Sequence, residues 1–225
     1  QWFSVVGGAR HYVEKILAGV HDKRLNTPVR LIERDAQGVR IITDGHAERF
    51  DEVVIATHTD QALGLLREAS GDERSVLGAI RYQDNRAVLH TDASALPANP
   101  KTWAAWNYER AASTERESAR VCLHYLLNRL QRIPFAQPVV VSLNPLQPID
   151  PATIVGEYDY AHPVFDLKAI DAQRRVPLLQ GQRHTWYAGA WTGYGFHEDG
   201  LKSGLQVGRS LLKQIHEQST QQETL

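Results

Sequence analysis

The chain has 225 residues, of which 42% are hydrophobic and 23% charged, and its formal net charge is -1 at pH 7. This balance is typical of a folded globular protein and excludes the one-signed surface that nucleic acids or anionic membranes bind. A single cysteine excludes an internal disulfide and a multi-cysteine zinc site. Its apolar runs are too short to span a bilayer, and no signal-peptide pattern opens the chain. We therefore expect no nucleic-acid partner, no transmembrane segment and a cytoplasmic location.

The first part of the chain alternates helix and strand patterns. Gly7-Gly8 precedes apolar residues at helical spacing that end at Gly19, which predicts a short helix. Residues 28–32 and 39–43 flank a turn and predict a hairpin. The apolar run Val53–Ala56 is typical of a buried parallel strand, and the Thr and Asp residues behind it predict a capped helix.

From about Tyr82 the pattern changes to short alternating stretches separated by Pro- and Asn-rich turns, which predicts an antiparallel sheet. A helix over 166–175, a strand over 185–188 and a long helix over 198–216 follow. The apolar residues on one side of this last helix are Leu201, Leu205, Leu211, Leu212 and Ile215.

The most informative stretch is the glycine-rich segment 187–204, in which a strand ends at Gly189 and a helix starts near Glu198. Glycines let the backbone approach a bound group closely, and the first N–H groups of a helix favour partial negative charge. The helix also carries glycine at 200, 204 and 208, and each glycine costs roughly 1 kcal/mol of helix propensity relative to alanine. A tightly packed strand–turn–helix junction without a ligand is the open alternative.

This segment resembles the second FAD signature of the amine-oxidase, phytoene-desaturase and protoporphyrinogen-oxidase superfamily. Ala188-Gly189 matches the strand end of that signature, and Glu198-Asp-Gly-Leu-Lys-Ser-Gly204 matches its helix. In the family, the N-terminus of this helix meets the pyrimidine end of the flavin. The resemblance implies that the cofactor-binding residues here are Gly189, Ala190, His197, Glu198, Asp199 and Leu201.

Two further segments resemble the same superfamily. Residues 50–57 resemble a strand ending in Ala-Thr-Gly or Ala-Thr-Pro, which implies that Ala56 and Thr57 lie near FAD, although His58 follows here. Residues 27–34 resemble the strand whose valine backbone pairs with adenine, and Val29 is that residue. The string 193–200 narrows the resemblance to a bacterial subgroup of predicted NAD/FAD-binding proteins.

Two departures from the family pattern bear on function. Ala190-Trp191 stands where many relatives place an acidic residue, and no G-x-G-x-x-G loop for the pyrophosphate follows a strand. Together with the absence of methionine, this predicts the C-terminal part of a longer flavoprotein, whose N-terminal half or companion chain is missing. We expect exposed edges, self-association and an inactive chain in isolation. The full-length protein is expected to bind FAD, and retention of FAD by this chain alone is left open.

The predicted fold class is α/β (α+β), with an incomplete FAD-binding Rossmann-like domain and an inserted, mainly antiparallel β substrate domain. The predicted boundaries are 1–72 for the first part of the FAD-binding domain and 73–180 for the inserted domain. Residues 181–217 complete the FAD-binding domain with a strand and a helix, and 218–225 form a tail.

Aromatic residues cluster in the predicted inserted sheet, at Trp103, Trp106, Tyr108 and Tyr125. In relatives this sheet forms the floor of a substrate pocket that faces the flavin, and aromatic walls suit an apolar substrate. Ordinary sheet-face aromatics are the alternative. We expect substrate contacts from Asn107, Tyr108 and Tyr194.

The predicted function is that of an FAD-dependent oxidoreductase of amine-oxidase or desaturase type, which transfers a hydride from an apolar or amine-bearing small molecule to FAD. Hydride transfer needs positioning and exclusion of water more than a side-chain acid or base, so no catalytic residue is assigned. No metal site is expected, because His197, Glu198 and Asp199 point in different directions on a helix, and Cys122 is predicted to be core. The alternative function is a non-catalytic ligand- or protein-binding module that holds no flavin.

Overall fold

The computed structural model describes residues 5–110, 122–131 and 133–222. It contains, in chain order, α1 (Ala9–Ala18), β1 (Val29–Asp35), β2 (Gly38–Thr43), β3 (His46–Phe50), β4 (Val53–Ile55), α2 (Thr59–Leu65), α3 (Gly71–Leu77), β5 (Tyr82–His90), β6 (Trp106–Glu109), β7 (Cys122–Leu126), α4 (Leu127–Leu130), β8 (Val140–Leu143), β9 (Ile154–Pro163), α5 (Leu167–Arg175), β10 (Thr185–Tyr187) and α6 (His197–Gln222). None of the described helices combines the length and the apolar character that crossing a membrane requires.

The chain divides into two compact units. The first contains residues 84–162 and the N-terminal segment up to residue 23, and the second contains residues 24–83 and the chain from 163 onward. The segment 84–162 is therefore inserted between the two parts of the second unit. This arrangement agrees with the predicted mixed α/β class, and the predicted antiparallel sheet is confirmed. The domain boundaries 1–72, 73–180 and 181–217 stay predictions.

In the second unit, β1, β2 and β3 form an antiparallel sheet in that order, and the first two strands are the predicted hairpin. The Asp35 carboxylate accepts the N–H of Gln37 at 2.8 Å, which organises the turn. A Cβ at Gly38, where φ is +130°, would lie 2.4 Å from the carbonyl oxygen of Phe50, so the close approach of β3 requires glycine. β3 gives no signal in the sequence because its side chains are mostly exposed and carry no apolar alternation.

The same unit contains the parallel pair β4 and β10, whose strands are about 130 residues apart in the chain (Val53 lies opposite Thr185). The predicted buried parallel strand at 53–56 is thus β4, although Val54 is 44% exposed. Helices α2, α3 and α5 pack around these strands and share their core. That core includes Ile32, Val39, Ile55, Ala62, Val76, Leu77, Ala169, Ala172, Val176 and Tyr187.

A buried ion pair joins β1, α3 and β10. The Arg34 and Glu73 side chains are 1% and 3% exposed, and Arg34 Nη2 donates to Glu73 Oε2 at 3.0 Å. The Tyr187 hydroxyl donates to the other carboxylate oxygen at 2.7 Å, and the Ser70 N–H donates to the first at 2.6 Å. Burial alone would raise the pKa of Glu73, but the hydrogen bonds from Arg34, Ser70 and Tyr187 lower this pKa to about 2. The same burial, together with Glu73, raises the pKa of the Tyr187 hydroxyl.

We predict that Glu73→Gln lowers the free energy of unfolding at pH 7 by about 3–5 kcal/mol, because it leaves the Arg34 charge buried and unpaired. The pKa of Glu73 is lower in the folded protein than its ordinary 4.5. The carboxylate therefore stabilises the fold above pH 4.5, and this contribution is lost as the pH falls towards 2. Urea unfolding of both proteins at pH 7 and pH 3 should show a smaller difference at pH 3.

The matched control is Asp44→Asn, which removes the carboxylate that pairs with Arg30 in an exposed ion pair of the same unit. This change should affect unfolding much less, since exposed ion pairs contribute little. Equal effects of the two substitutions at pH 7 would contradict the role assigned to Glu73.

The first unit contains a five-stranded sheet in the order β6-β7-β8-β5-β9. The pairs β6–β7, β7–β8 and β8–β5 are antiparallel, and successive side chains of a strand point to opposite faces. The register therefore divides the side chains of the sheet into two sets. One set, the aromatic face, includes Trp106, Tyr108, Leu123, Tyr125, Val141 and Leu143. The other set, the polar face, includes His90, Asn107, Glu109, Cys122, His124 and Ser142.

Candidate functional site

The carboxyl ends of β4 and β10 lie side by side because the two strands run parallel, and ligands of open α/β sheets bind at such an edge. Of the predicted cofactor residues, Ala56 and Thr57 follow β4, and Gly189 and Ala190 follow β10. The indole N–H of the buried Trp191 donates to the Thr57 carbonyl oxygen at 3.2 Å. The structure therefore brings these four predicted residues together at one edge of the unit.

The loop after β10 is closely packed. A Cβ at Gly189 would lie 2.4 Å from the Trp191 indole nitrogen, so no larger residue fits without a shift. The Gly189 N–H donates to Ser203 Oγ at 2.9 Å, which ties the loop to α6. The Gln173 side-chain amide donates to the carbonyl oxygens of Trp191 and Gly193 at 2.9 and 2.6 Å. The loop is thus held from both α5 and α6.

The carboxylate of Asp199 organises the turn before α6. Its Oδ2 accepts the N–H groups of Tyr194 and Phe196, both at 3.0 Å. A Cβ at Gly193 would lie 2.5 Å from the carboxyl carbon of Asp199, which explains the glycine there. The Asp199 carboxylate therefore has its hydrogen-bond partners within the protein. Glu198 and His197, by contrast, are exposed at the first turn of α6.

The other predicted cofactor residues lie in different surroundings. Val29 begins β1, which belongs to a separate sheet from the β4–β10 pair. Leu201 is 51% exposed on α6. Tyr194, predicted to contact substrate, is also exposed, and its ring lies 6.2 Å from that of Phe165 in an edge-to-face contact. His58, which follows Thr57, stacks on Tyr82 with ring centroids 4.3 Å apart.

The side of α6 that is buried is not the side on which the sequence places most of its leucines. Ser203 and Val207 are buried, and Val207 packs with Leu211 against Trp186 and Ala188 of the β10 region. The apolar residues of α6 that remain exposed are Leu201, Leu205, Leu212 and Ile215. A Cβ at Gly204 or Gly208 would meet no atom within 4 Å in the part of the chain that the structure describes, whereas Gly200 lies against Ala190. Of the glycines at 200, 204 and 208, only the first therefore packs closely against another described residue.

The aromatic face of the first unit carries exposed rings. Trp106 and Tyr108 are 56% and 65% exposed, and Trp106 meets Tyr125 edge to face with ring centroids 5.9 Å apart. Trp103 does not lie on this face, because it packs with Leu96, Leu126 and Val140 on the other side of the sheet. An exposed face of this composition is suited to contact with an apolar molecule.

Asn107 lies on the polar face and is separated from Tyr108 by the sheet itself. Its side-chain amide donates to the Ala104 carbonyl oxygen at 2.8 Å and accepts the Ala104 N–H at 3.0 Å. These bonds close the backbone turn before β6, and Asn107 is buried. Asn107 and Tyr108, two of the three predicted substrate residues, therefore do not share a face, and Asn107 has a structural role in the turn.

Beside Asn107, the polar face carries a connected set of buried polar side chains. The Asp92 N–H donates to His90 Nδ1, so His90 presents its Nε2 proton to Ser142 Oγ at 2.6 Å. Ser142 Oγ in turn lies 2.6 Å from His124 Nδ1, and His124 Nε2 lies 3.1 Å from a Glu109 carboxylate oxygen. Burial lowers the pKa of His90, which keeps that ring neutral.

Neither a protein-family model nor a curated protein matches the chain. Solved structures match with high probability, among them a CLA-producing fatty acid isomerase from P. acnes, at 21% identity and a TM-score of 0.63. Cyclohexylamine oxidase from Brevibacterium oxydans matches at 12% identity and 0.65, and putrescine oxidase bound to putrescine at 11% and 0.62.

These matches define the fold of the chain. They cover 90%, 93% and 92% of it, and 52%, 53% and 53% of the respective solved chains. The chain thus has the fold of about half of a flavin-dependent amine oxidase or related oxidoreductase. The resemblance inferred from the FAD signature is confirmed at the level of the fold. The chain spans about half the length of the structures it matches.

Sequence reasoning missed Gln173 and Ser203, the two residues that hold the loop after β10. Ser203 is the serine of the family-like Ser-Gly pair, so its position in the motif is a usable signal. Gln173 lies on α5, which is remote from the motif in the sequence, and gives no such signal.

We predict that Gly189→Ala lowers the free energy of unfolding by about 1–3 kcal/mol, because the added Cβ overlaps the Trp191 indole. Gly208→Ala is the matched control in the interior of α6, where a Cβ meets nothing. It should raise the free energy of unfolding by about 1 kcal/mol through helix propensity. Urea unfolding measures both changes, and a stabilising Gly189→Ala would contradict the packing described.

A second prediction tests the assignment of Asn107 and Tyr108 to opposite faces of the sheet. Asn107→Ala should lower the free energy of unfolding by about 1–3 kcal/mol, because it removes the hydrogen bonds of a buried amide to the Ala104 backbone and to the His124 carbonyl oxygen. Tyr108→Ala should change it by less than about 0.5 kcal/mol, since this ring is exposed. Denaturant unfolding of the two variants tests the difference, and a larger loss in Tyr108→Ala would show that the faces are assigned wrongly.

Proposed function

We propose that the chain is the C-terminal part of an FAD-dependent oxidoreductase that oxidises an apolar or amine-bearing small molecule by hydride transfer. One observation carries the proposal: the ends of β4 and β10 meet beside the start of α6. The fold likeness to flavin-dependent oxidases and the match of 188–204 to their flavin signature support it.

The residues at this edge fit one end of a flavin. Gly189 carries no side chain because the Trp191 indole occupies the place of its Cβ, and Ala190 adds only a methyl group to this edge. The N–H groups of the first turn of α6, at His197 and Glu198, favour a partly negative atom of a bound group. When bound, FAD supplies the hydride acceptor. The protein supplies position and exclusion of water, with Thr57 at this edge and with Asp199 and Leu201 of α6 as further proposed contacts.

Val29 is proposed to pair with the adenine through its backbone, as in the resembling strand. The pyrophosphate-binding element is proposed to come from an N-terminal half or a companion chain, since this chain contains no glycine fingerprint after a strand. This proposal accounts for the exposed glycines and leucines of α6, which would then pack against that element. It also implies that the chain alone is inactive.

The aromatic face is proposed to contact the substrate. Tyr108 and Trp106 present exposed rings, and an apolar or amine-bearing molecule can bind to them by burial of apolar surface and by cation–π contact. Tyr194 is a further proposed contact. The polar amide of Asn107 is not part of this face.

The test is FAD reconstitution of the protein made from the complete reading frame. We predict one FAD per chain by visible absorbance after desalting, and reduction of this flavin by an apolar amine under anaerobic conditions. A complete protein that retains no flavin after reconstitution would overturn the proposal and favour the alternative, a non-catalytic ligand- or protein-binding module.

A backbone substitution tests the role of α6 more directly. His197 is the first residue of the helix, a position that tolerates proline, so His197→Pro deletes one N–H and leaves the helix in place. We predict that it weakens FAD binding by about fivefold or more, as expected for the loss of a hydrogen bond to a partly charged group. His197→Ala, which keeps the N–H, is the control and should bind FAD as the unaltered protein does. Equal affinities of the two variants would exclude this N–H from the cofactor site.

A further inference from the structure

The polar face of the sheet brings together three donors that are typical ligands of transition metals. Glu109 lies opposite Cys122 in the pairing of β6 with β7, and His124 lies two residues beyond Cys122 on the same face. Cys122 Sγ is 3.4 Å from His124 Nε2 and 3.6 Å from Glu109 Oε2, and the remaining N···O distance is 3.1 Å. We propose that Glu109, Cys122 and His124 bind one Zn²⁺-class divalent ion.

The three distances agree with a tetrahedral ion. Ordinary Zn–S, Zn–N and Zn–O bond lengths place the ligand atoms of a tetrahedral site about 3.3–3.7 Å apart. The three donor atoms therefore occupy three corners of such a site after shifts of a few tenths of an ångström. A thiolate, an imidazole and a carboxylate together select Zn²⁺ or Co²⁺ over Mg²⁺ and Ca²⁺, which prefer oxygen ligands only.

The surroundings of His124 supply the support that a metal-binding histidine needs. Its second ring nitrogen, Nδ1, lies 2.6 Å from Ser142 Oγ, and Ser142 is fully buried and held by His90. Metal binding through Nε2 requires the ring proton of His124 on Nδ1, which faces Ser142 Oγ, so the Ser142 hydroxyl rotates away the proton that it donates to this nitrogen in the metal-free chain. The metal then takes the place of the Nε2 proton of His124 and of the thiol proton of Cys122, and the thiol proton is released to solvent.

The site is closed on one side and open on the other. Cys122 and His124 are buried, whereas the Glu109 side chain is 39% exposed. Glu109 and His124 also line a cavity of about 270 Å³ in the first unit, together with Leu96, Pro97 and Ile149. Among the described residues, three protein ligands lie beside an open cavity and leave a fourth position for water or an oxygen-bearing ligand, the pattern of catalytic zinc sites. This site does not depend on the flavin proposal, because it lies within the inserted unit.

The experiment is a titration of the chain with Co²⁺ in metal-free buffer. We predict binding of one Co²⁺ per chain, with the near-ultraviolet band of a cobalt–thiolate bond and the intense visible bands of a tetrahedral ion. Cys122 is the only cysteine of the sequence, so this thiolate band identifies the ligand without ambiguity. A spectrum of octahedral cobalt without the thiolate band would overturn the proposal.

Three variants complete the design. Cys122→Ser should abolish the thiolate band, and Glu109→Gln should keep the band but weaken Co²⁺ binding at least tenfold. His46→Asn, which alters an exposed histidine of β3 in the other unit, is the control and should bind as before. Circular dichroism verifies the fold of each variant, and Glu109→Gln is the decisive one if Cys122→Ser does not fold, because Glu109 is partly exposed. Unchanged affinity in Glu109→Gln would refute the site.

Discussion

The buried pair of Arg34 and Glu73 connects β1, α3 and β10 of the second unit, and backbone hydrogen bonds alone hold β10 only weakly. β10 has three residues and pairs with the equally short β4, so few backbone hydrogen bonds determine where this strand ends. Tyr187, the last residue of β10, donates to Glu73, and Arg34 also reaches Thr185 at 3.2 Å. A buried ion pair contributes little net stability relative to apolar residues, but its directional hydrogen bonds permit one arrangement of β1, α3 and β10. The position of the loop after Tyr187 follows from this arrangement.

The loop after β10 shows how the flavin-like motif is built from ordinary packing constraints. Gly189 is required by the Trp191 indole and Gly193 by the Asp199 carboxylate, so two of the loop glycines have structural reasons in this chain. The glycines at 204 and 208 have none among the described residues, and they lower the helix propensity of α6. Exposed leucines on the same helix add apolar surface that a folded protein normally covers. These features support the proposal that another chain segment or a second protein packs against α6.

Local patterns in the sequence predict most elements but not their faces. The helix before Gly19, the β1–β2 hairpin and the strands of the inserted sheet follow from periodicity and turn residues, because these signals are local. β3 is not predicted because its side chains are mostly exposed. α3 is not predicted because the apolar stretch that follows its capping box, Ser70 and Glu73, is too short to show a helical period. In α6 four of the five residues of the predicted apolar stripe are exposed, whereas the fifth, Leu211, and Val207, which lies outside the stripe, pack against the β10 region. Periodicity identifies an amphipathic helix and cannot identify which stripe finds a partner.

In the inserted sheet, the strand register determines which residues lie together in a site, and the order of residues in the sequence does not. Asn107 and Tyr108 are neighbours in the sequence and lie on opposite faces, whereas Glu109 and His124 are 15 residues apart and in contact. One shift of register would place Tyr108 beside Cys122 and remove Glu109 from the cluster. Because β7 alternates Cys122 and His124 with Leu123 and Tyr125, the same four residues contribute to both faces. The aromatic face and the polar cluster therefore depend on a single register, and a strand pairing that preserves one of them necessarily preserves the other.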